Sequence, residues 1–324
     1  MITFLTSPKP FKGTVGHNQA EAIASWQAID PETEVIVYGD VPGAQSICQR
    51  LGASHVPAIA SSPSGVPYFN AIVDHASEHG RHDTQIYLNC DIILSSAIAS
   101  AIGRIEFPSY LLIGQRIDLA ENTYVDPQAP HFLDQLATLA ETGAATLHSP
   151  GAMDYFAFRK GMWAGLKPLV IGRTGYDAGL VAHCLLNRIP VIDATLAVPA
   201  LHLYHDYAHV QGGHGEISFG VEARQNRAQY GIEHDAPNSS DAGWMLTTHE
   251  LRRIPCRGDR LRALQVRIRF TRRIELGPTW LALLGLSRLL EASRLYSRPV
   301  VTLADALSAY GQQTVSQAGG RRLR

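Results

Sequence analysis

The chain has 324 residues, 45% of them hydrophobic, and reads as a soluble globular protein with a real core and room for one large domain plus an appendage. No stretch reaches bilayer-spanning length, since the strongly apolar run Trp280–Leu286 has only seven residues. The opening Met1-Ile-Thr-Phe-Leu-Thr-Ser-Pro-Lys lacks the basic-then-apolar order of a signal peptide, so a cytoplasmic location is expected. The formal charge of −1 hides an asymmetry: from Leu251 onward fifteen Arg face four acids, a balance of +11 that leaves −12 for residues 1–250. Cys48, Cys90, Cys184 and Cys256 are far apart with no C-x-x-C pair, which argues against a thiolate zinc site and a disulfide framework.

The first 115 residues alternate short β-rich runs with helical stretches, the pattern of an α/β fold. Strands are expected at Ile2–Thr6, Glu34–Tyr38, His55–Val56, Thr84–Leu88 and Tyr110–Gly114. Helices are expected at Asn18–Ile29, opened by a capping-type Asn, at Ala44–Leu51, and at Tyr68–His79, where Phe69, Ile72, Val73 and Ala76 share a face. In the middle region Asp154 precedes an aromatic strand-like run, and Asp177 opens a helix to about Asn187. Strands at Ile189–Asp193 and Ala197–Leu203 then lead into His202-Leu-Tyr-His-Asp-Tyr-Ala-His209.

Parallel sheets bind ligands beyond the carboxyl ends of their strands. Thr6-Ser7, Asp40 and Asn89–Asp91 all fall at such ends and outline one crevice. The Ser7–Gly16 loop carries neither a dinucleotide-binding nor a P-loop fingerprint. Asn89 and Asp91, two apart in an extended segment, would present an amide and a carboxylate together, oxygen ligands suited to a hard divalent cation. The plain alternative for Asp91 is a turn residue closing the strand. His202 and His205 could add a nitrogen ligand, although four imidazoles at 202, 205, 209 and 214 would also suit a separate zinc site or a Gly-rich surface loop. Asp177 and Asp154 are each eligible as a general base, and each equally as a helix-start or capping residue.

As a set, these residues resemble a bacterial glycosyltransferase of the GT-A fold, close to the inverting family 2-like group, over roughly residues 1–230. The resemblance is carried by Thr3-Phe-Leu-Thr-Ser-Pro-Lys-Pro-Phe11, Tyr38-Gly-Asp40, Asn89-Cys-Asp91, Asp154-Tyr-Phe-Ala-Phe158, Gly175-Tyr-Asp-Ala-Gly-Leu180 and the His202–His209 block. It implies a Rossmann-like, mainly parallel sheet flanked by helices, a nucleotide-sugar donor, and a Mn²⁺ or Mg²⁺ held by Asp91 with His205 or His202. It also implies nucleoside contacts at Thr6, Ser7 and Asp40, and a base at Asp177 in preference to Asp154. One departure stands out: Asn89 occupies a position usually filled by a carboxylate.

The expected organisation is a GT-A domain over 1–250 and an Arg-rich extension over 251–324, with a strand at Leu264–Phe270 and a Leu- and Trp-bearing helix at Thr279–Leu295. That helix either packs its leucines on the domain or presents its arginines to an anionic membrane face. Nucleic acid is not expected, because no run of stacking aromatics interleaves the basic residues. The function expected is sugar transfer to a glycan or lipid-linked acceptor in surface polysaccharide assembly. The alternatives are a sugar-nucleotidyltransferase, which the Ser7–Gly16 loop fits poorly, and a non-catalytic carbohydrate- or membrane-binding module on the same fold.

Overall fold

The computed structural model describes residues 1–204, 213–232, 236–254 and 301–320, the last with side chains to residue 312. Its large sheet has nine strands, built from β1 (Thr3–Thr6), β2 (Glu34–Tyr38), β3 (Ser54–Val56), β4 (Thr84–Leu88), β6 (Leu111–Ile113), β9 (Tyr155–Arg159), β10 (Val191–Asp193), β12 (Trp244–Leu246) and β13 (Leu251–Arg253). Their order is β13-β12-β10-β6-β9-β4-β1-β2-β3. β1, β2, β3 and β4 run parallel to one another, as do β6, β10 and β12, whereas β9 and the edge strand β13 are antiparallel to their neighbours. A second sheet of four strands joins β5 (Ile92–Leu94), β7 (Ile117–Leu119), β8 (Ala145–Leu147) and β11 (Ala200–His202) in the order β5-β11-β7-β8.

Alternation along the central strands fills both faces of the large sheet. Phe4, Ile86 and Leu88 pack with Trp26 in one core, while Leu5, Tyr87 and Phe156 pack in another with Phe69 and Ile72. β1 and β4 are buried throughout, and their polar side chains are hydrogen-bonded: the Thr6 hydroxyl donates to the Leu88 carbonyl and the Gln85 amide to the Ala76 carbonyl. Helices α1 (Gly13–Gln27) and α2 (Ala44–Leu51) supply Ala22, Ile23, Trp26 and Cys48 to the first core. Helices α3 (Phe69–His79) and α6 (Tyr176–Leu186) supply the second. The remaining helices are α4 (Ala97–Gly103), α5 (Phe132–Glu141), α7 (Gly213–Phe219), α8 (Val221–Tyr230) and α9 (Leu303–Gly320).

Several expectations shift. The first helix starts at Gly13 rather than Asn18, and the Asn18 amide is no cap: its Nδ2 donates to the Tyr204 carbonyl at 3.0 Å. Leu251–Arg253, which a division at residue 250 assigns to the extension, is an edge strand of the large sheet, and α9 places Ala306 and Tyr310 in the first core. The strand expected at 264–270 and the helix at 279–295 lie outside the described residues. No helix among the described residues is long and apolar enough to cross a membrane.

Candidate active site

A cleft of about 1120 Å³ opens along one edge of the large sheet. Strand direction explains what lines it. β1, β2, β4 and β6 all end at this edge, bringing Ser7 to Lys9, Asp40, Asn89 to Asp91, and Arg116. Because β9 runs antiparallel between β4 and β6, the residue preceding it arrives at the same edge: Leu88 pairs with Tyr155, and the Asn89 backbone N–H donates to the Asp154 carbonyl at 3.0 Å. The small sheet delivers His202, opposite Ile92 and Asp118 in register.

Asp91, only 6% exposed, accepts from the Lys9 ammonium at 2.9 Å and has the His202 Nε2 3.9 Å from its other oxygen. The His202 Nδ1 is 3.2 Å from the Asp118 carboxylate. A carboxylate on one imidazole nitrogen sets the orientation of the ring and directs the other nitrogen inward. Burial alone would raise the Asp118 pKa, but the His202 hydrogen bond and the Arg116 charge hold it below the usual carboxylate value. Lys9 is itself held: its backbone N–H donates to the Gln19 Oε1 at 2.6 Å, and the Gln19 Nε2 returns a bond to its carbonyl at 2.9 Å.

Asp154, 8% exposed, is fully engaged by neighbours. The Arg116 Nη1 donates to one oxygen at 2.5 Å and the Asn89 Nδ2 to the other at 2.6 Å, while the Arg116 Nε reaches Asp118 at 2.7 Å. Burial works to lower the Arg116 pKa, and the two carboxylates more than offset it, so the guanidinium is raised above its ordinary value. The Asn89 Oδ1 accepts from the Tyr176 hydroxyl at 3.2 Å. An amide suits both partners, since it donates to Asp154 and accepts from Tyr176, whereas a second carboxylate at that distance would be repelled by Asp154.

Asp177 follows Tyr176 in the first turn of α6 and keeps a partly open edge on the cleft. Its Oδ1 accepts from the Ala178 backbone N–H at 2.8 Å. Burial first, and the charge of Asp154 second, raise its pKa to about 6 against the pull of these backbone donors.

The structure thus brings Ser7, Asp40, Asn89, Asp91, Asp154, Asp177 and His202 to one cleft. Thr6 is not among its walls: fully buried, its hydroxyl donates to the Leu88 carbonyl at 2.8 Å and ties β1 to β4. Asn89 and Asp91 stand in a turn rather than an extended segment and face different partners. His205 lies outside the described residues, within which no group of three or more His, Cys, Asp or Glu side chains gathers as a metal site. Lys9, Gln19, Arg116, Asp118 and Tyr176 are additions that sequence reasoning missed. Lys9 had a usable signal, a cation in the first strand-end loop; Arg116 and Asp118 had none, because only strand pairing brings them here.

A mainly parallel sheet flanked by helices, with its cleft along the carboxyl ends of the strands, is the architecture the resemblance implies. The fold is α/β, with a large mainly parallel sheet between helices. No family model matches the chain, and no curated protein matches its sequence. Solved structures similar to this chain include the mannosyltransferase PcManGT from Pyrobaculum calidifontis in complex with GDP-Man and Mn²⁺, at 14% identity over 96% of this chain and 86% of that one, TM-score 0.40. Glucosyl-3-phosphoglycerate synthase from M. tuberculosis matches at 12% identity over 79% and 87%, TM-score 0.40. TarS residues 1–349 from S. aureus, in complex with UDP-GlcNAc, matches at 13% identity over 99% and 92%, TM-score 0.37.

Proposed function

We propose that this chain transfers a sugar from a nucleoside-diphosphate donor to a hydroxyl of a glycan or lipid-linked acceptor, with inversion, during bacterial surface polysaccharide assembly. The observation that carries this reading is the presence, in one cleft, of Asp177 with its pKa near 6 and of the Lys9–Asp91–His202 cluster. Asp177 is ionised at neutral pH yet more basic than an ordinary carboxylate, as a proton acceptor for a sugar hydroxyl should be. It takes that proton as the acceptor oxygen bonds to the anomeric carbon. The bond from that carbon to the diphosphate breaks, and its electron pair leaves with the diphosphate. Lys9 and Arg116, paired with Asp91 and with Asp154 and Asp118, offset carboxylates that would otherwise repel the leaving diphosphate.

The other residues serve these two ends. Ser7 and Asp40 form the wall proposed for the nucleoside, which Thr6 shapes from beneath. Asn89 and Asp154 brace Tyr176, and through it the start of the helix that carries Asp177. The donor set suits a divalent cation in part: Asp91 and His202 are a carboxylate and an imidazole of the right chemistry, with Asp118 behind the ring as an orienting group. These two, with His205 as the further ligand the resemblance implies, would hold Mn²⁺ or Mg²⁺, which when bound neutralises diphosphate charge. The surplus of arginine beyond Leu251 supports contact with an anionic membrane face on the cytoplasmic side.

A thermal-shift screen of UDP, GDP, ADP and TDP, each with and without Mn²⁺, tests the reading. One nucleotide should raise the melting temperature, and more so with Mn²⁺; saturation at about a hundred times Kd corresponds to about 2.7 kcal/mol. The metal-dependent part should vanish in Asp91→Ala. No shift with any of the four would sink the donor assignment, and a Mn²⁺ effect that survives Asp91→Ala would sink the metal role.

A further inference from the structure

A second groove, of about 700 Å³, lies on the flank of the molecule between the start of α1, the turn after β7 and the residues following β11. Its most unusual feature is a pair of open aromatic rings. Tyr124 is 52% exposed and Tyr204 47%, and few other large apolar side chains among the described residues are as open. The remaining lining is mostly polar and of mixed charge, with Lys12, His17, Asn18, Glu21 and Asn122 beside the apolar Val15, Ala120 and Leu203. Two of these hold the platform in shape. The Asn18 amide donates to the Tyr204 carbonyl at 3.0 Å, fixing the backbone that carries one ring. Asn122, at φ 59°, keeps the turn before Tyr124 in the left-handed region that Asn tolerates better than most residues. Tyr124 and Glu21 of α1 line the same groove.

From this geometry we infer that the groove binds an oligosaccharide, as an extension of the acceptor beyond the catalytic cleft. A pyranose is amphipathic in the way these walls are: its C–H face meets the electron-rich face of an aromatic ring, and its hydroxyls reach planar amides and carboxylates at the rim. The alternatives fit less well. A phosphate-bearing chain would call for a cationic surplus, and Glu21 and Glu121 counter Lys12 and His17 here. An apolar peptide helix would call for a continuous apolar floor, and the described floor is largely polar. Continuity with the cleft supports the same occupant. Lys9 and His202 line the cleft, Lys12 and Tyr204 line the groove, and the two residues from His202 to Tyr204 span at most about 7 Å. One or two sugar units would bridge that gap.

The inference rests on the sugar-transfer reading only for the word acceptor; the binding itself needs no donor and is measured without one. The experiment is saturation-transfer NMR on the full chain with chitohexaose, maltohexaose and mannohexaose. At least one should receive saturation from the tyrosine rings, with affinity falling about tenfold or more in Tyr124→Ala and in Tyr204→Ala and largely kept in Tyr124→Trp, which preserves a stacking face. Both rings are open, and an unchanged melting temperature would show that the variants fold. Nucleotide binding in the thermal-shift screen should be unaffected in all three. Binding of none of the hexaoses, or binding that both alanine variants retain, would overturn the groove while leaving the donor experiment standing. Loss of nucleotide binding with retained hexaose binding would do the reverse.

Discussion

Two aspartates compete for the role of base, and their surroundings separate them. Both oxygens of Asp154 are taken by cationic or amide donors, Arg116 and Asn89, so a proton arriving there would have to break an ion pair. Asp177 accepts from backbone donors among the described residues and has a pKa near 6. Transfer should therefore rise with pH through about 6 and level off above it. Asp177→Asn should bind nucleotide normally and lose transfer by about 10²- to 10⁴-fold; normal turnover in that variant would end the assignment. Stability carries the same group with the opposite sign. Between the ordinary carboxylate value of about 4 and the folded value near 6, the native chain binds the proton more tightly than the unfolded one, so stability falls as pH rises through that window. Denaturation series on Asp177→Asn should show that slope removed. Asn89 gives a second test at this scale. Asn89→Asp would set a carboxylate against Asp154 and should shift one of the pair toward protonation, costing stability above neutral pH and recovering it in acid.

At the scale of elements, the site depends on a loop and a helix meeting without room to spare. A Cβ on Gly16 would come 2.5 Å from the backbone carbon of Phe11, and backbone cannot yield as a side-chain tip can. The loop this would push carries Lys9, whose main chain Gln19, three residues further along α1 and 1% exposed, clamps on both sides. Gly16→Ala should cost about 1–3 kcal/mol in urea denaturation and weaken nucleoside-diphosphate binding as well; a variant that loses stability alone would show the loop to be independent of donor binding. The legibility of these elements in the sequence follows their length and their neighbours. β2, α2 and β4 were readable to the residue because each is a run with clear turn residues at its ends. The short strands β5, β7, β8 and β12 were not, since no turn-bounded apolar run marks them and tertiary pairing decides them, whereas β6, β10 and β11 lie inside longer apolar runs. α1 reads late because Gly13 and Gly16 are poor helix formers that packing overrides. For the same reason the site's acids were legible as strand-end and helix-start residues, while Arg116 and Asp118, placed by the pairing of β7 with β11, were silent.

At the scale of the whole chain, the question is whether the C-terminal region forms one cooperative body with the sheet. The sequence suggests a break at residue 250, where the charge balance reverses. Yet β13 closes the edge of the large sheet, and α9 returns to pack against α5 with Ala306 and Tyr310 buried. The Tyr310 hydroxyl donates to the Thr195 carbonyl at 2.6 Å, in the segment leaving β10 and heading for His202. The Thr195 backbone N–H and hydroxyl both bind Asp193, and its hydroxyl accepts from the Gln115 backbone N–H, so one helix from the far end of the chain braces the turn beside Arg116. Removing the ring should therefore be felt by the entire fold. Tyr310→Ala should cost about 3–5 kcal/mol, the range for emptying a large buried aromatic site, and Tyr310→Phe about 1 kcal/mol for the lost hydrogen bond. In urea both should lower the midpoint of a single transition and leave its slope unchanged, because the surface exposed on unfolding is the same. Had α9 been an independent appendage, Tyr310→Ala would leave the main transition where it is and add a separate early one. That outcome would support the division at residue 250 and detach the arginine-rich region from the stability of the site.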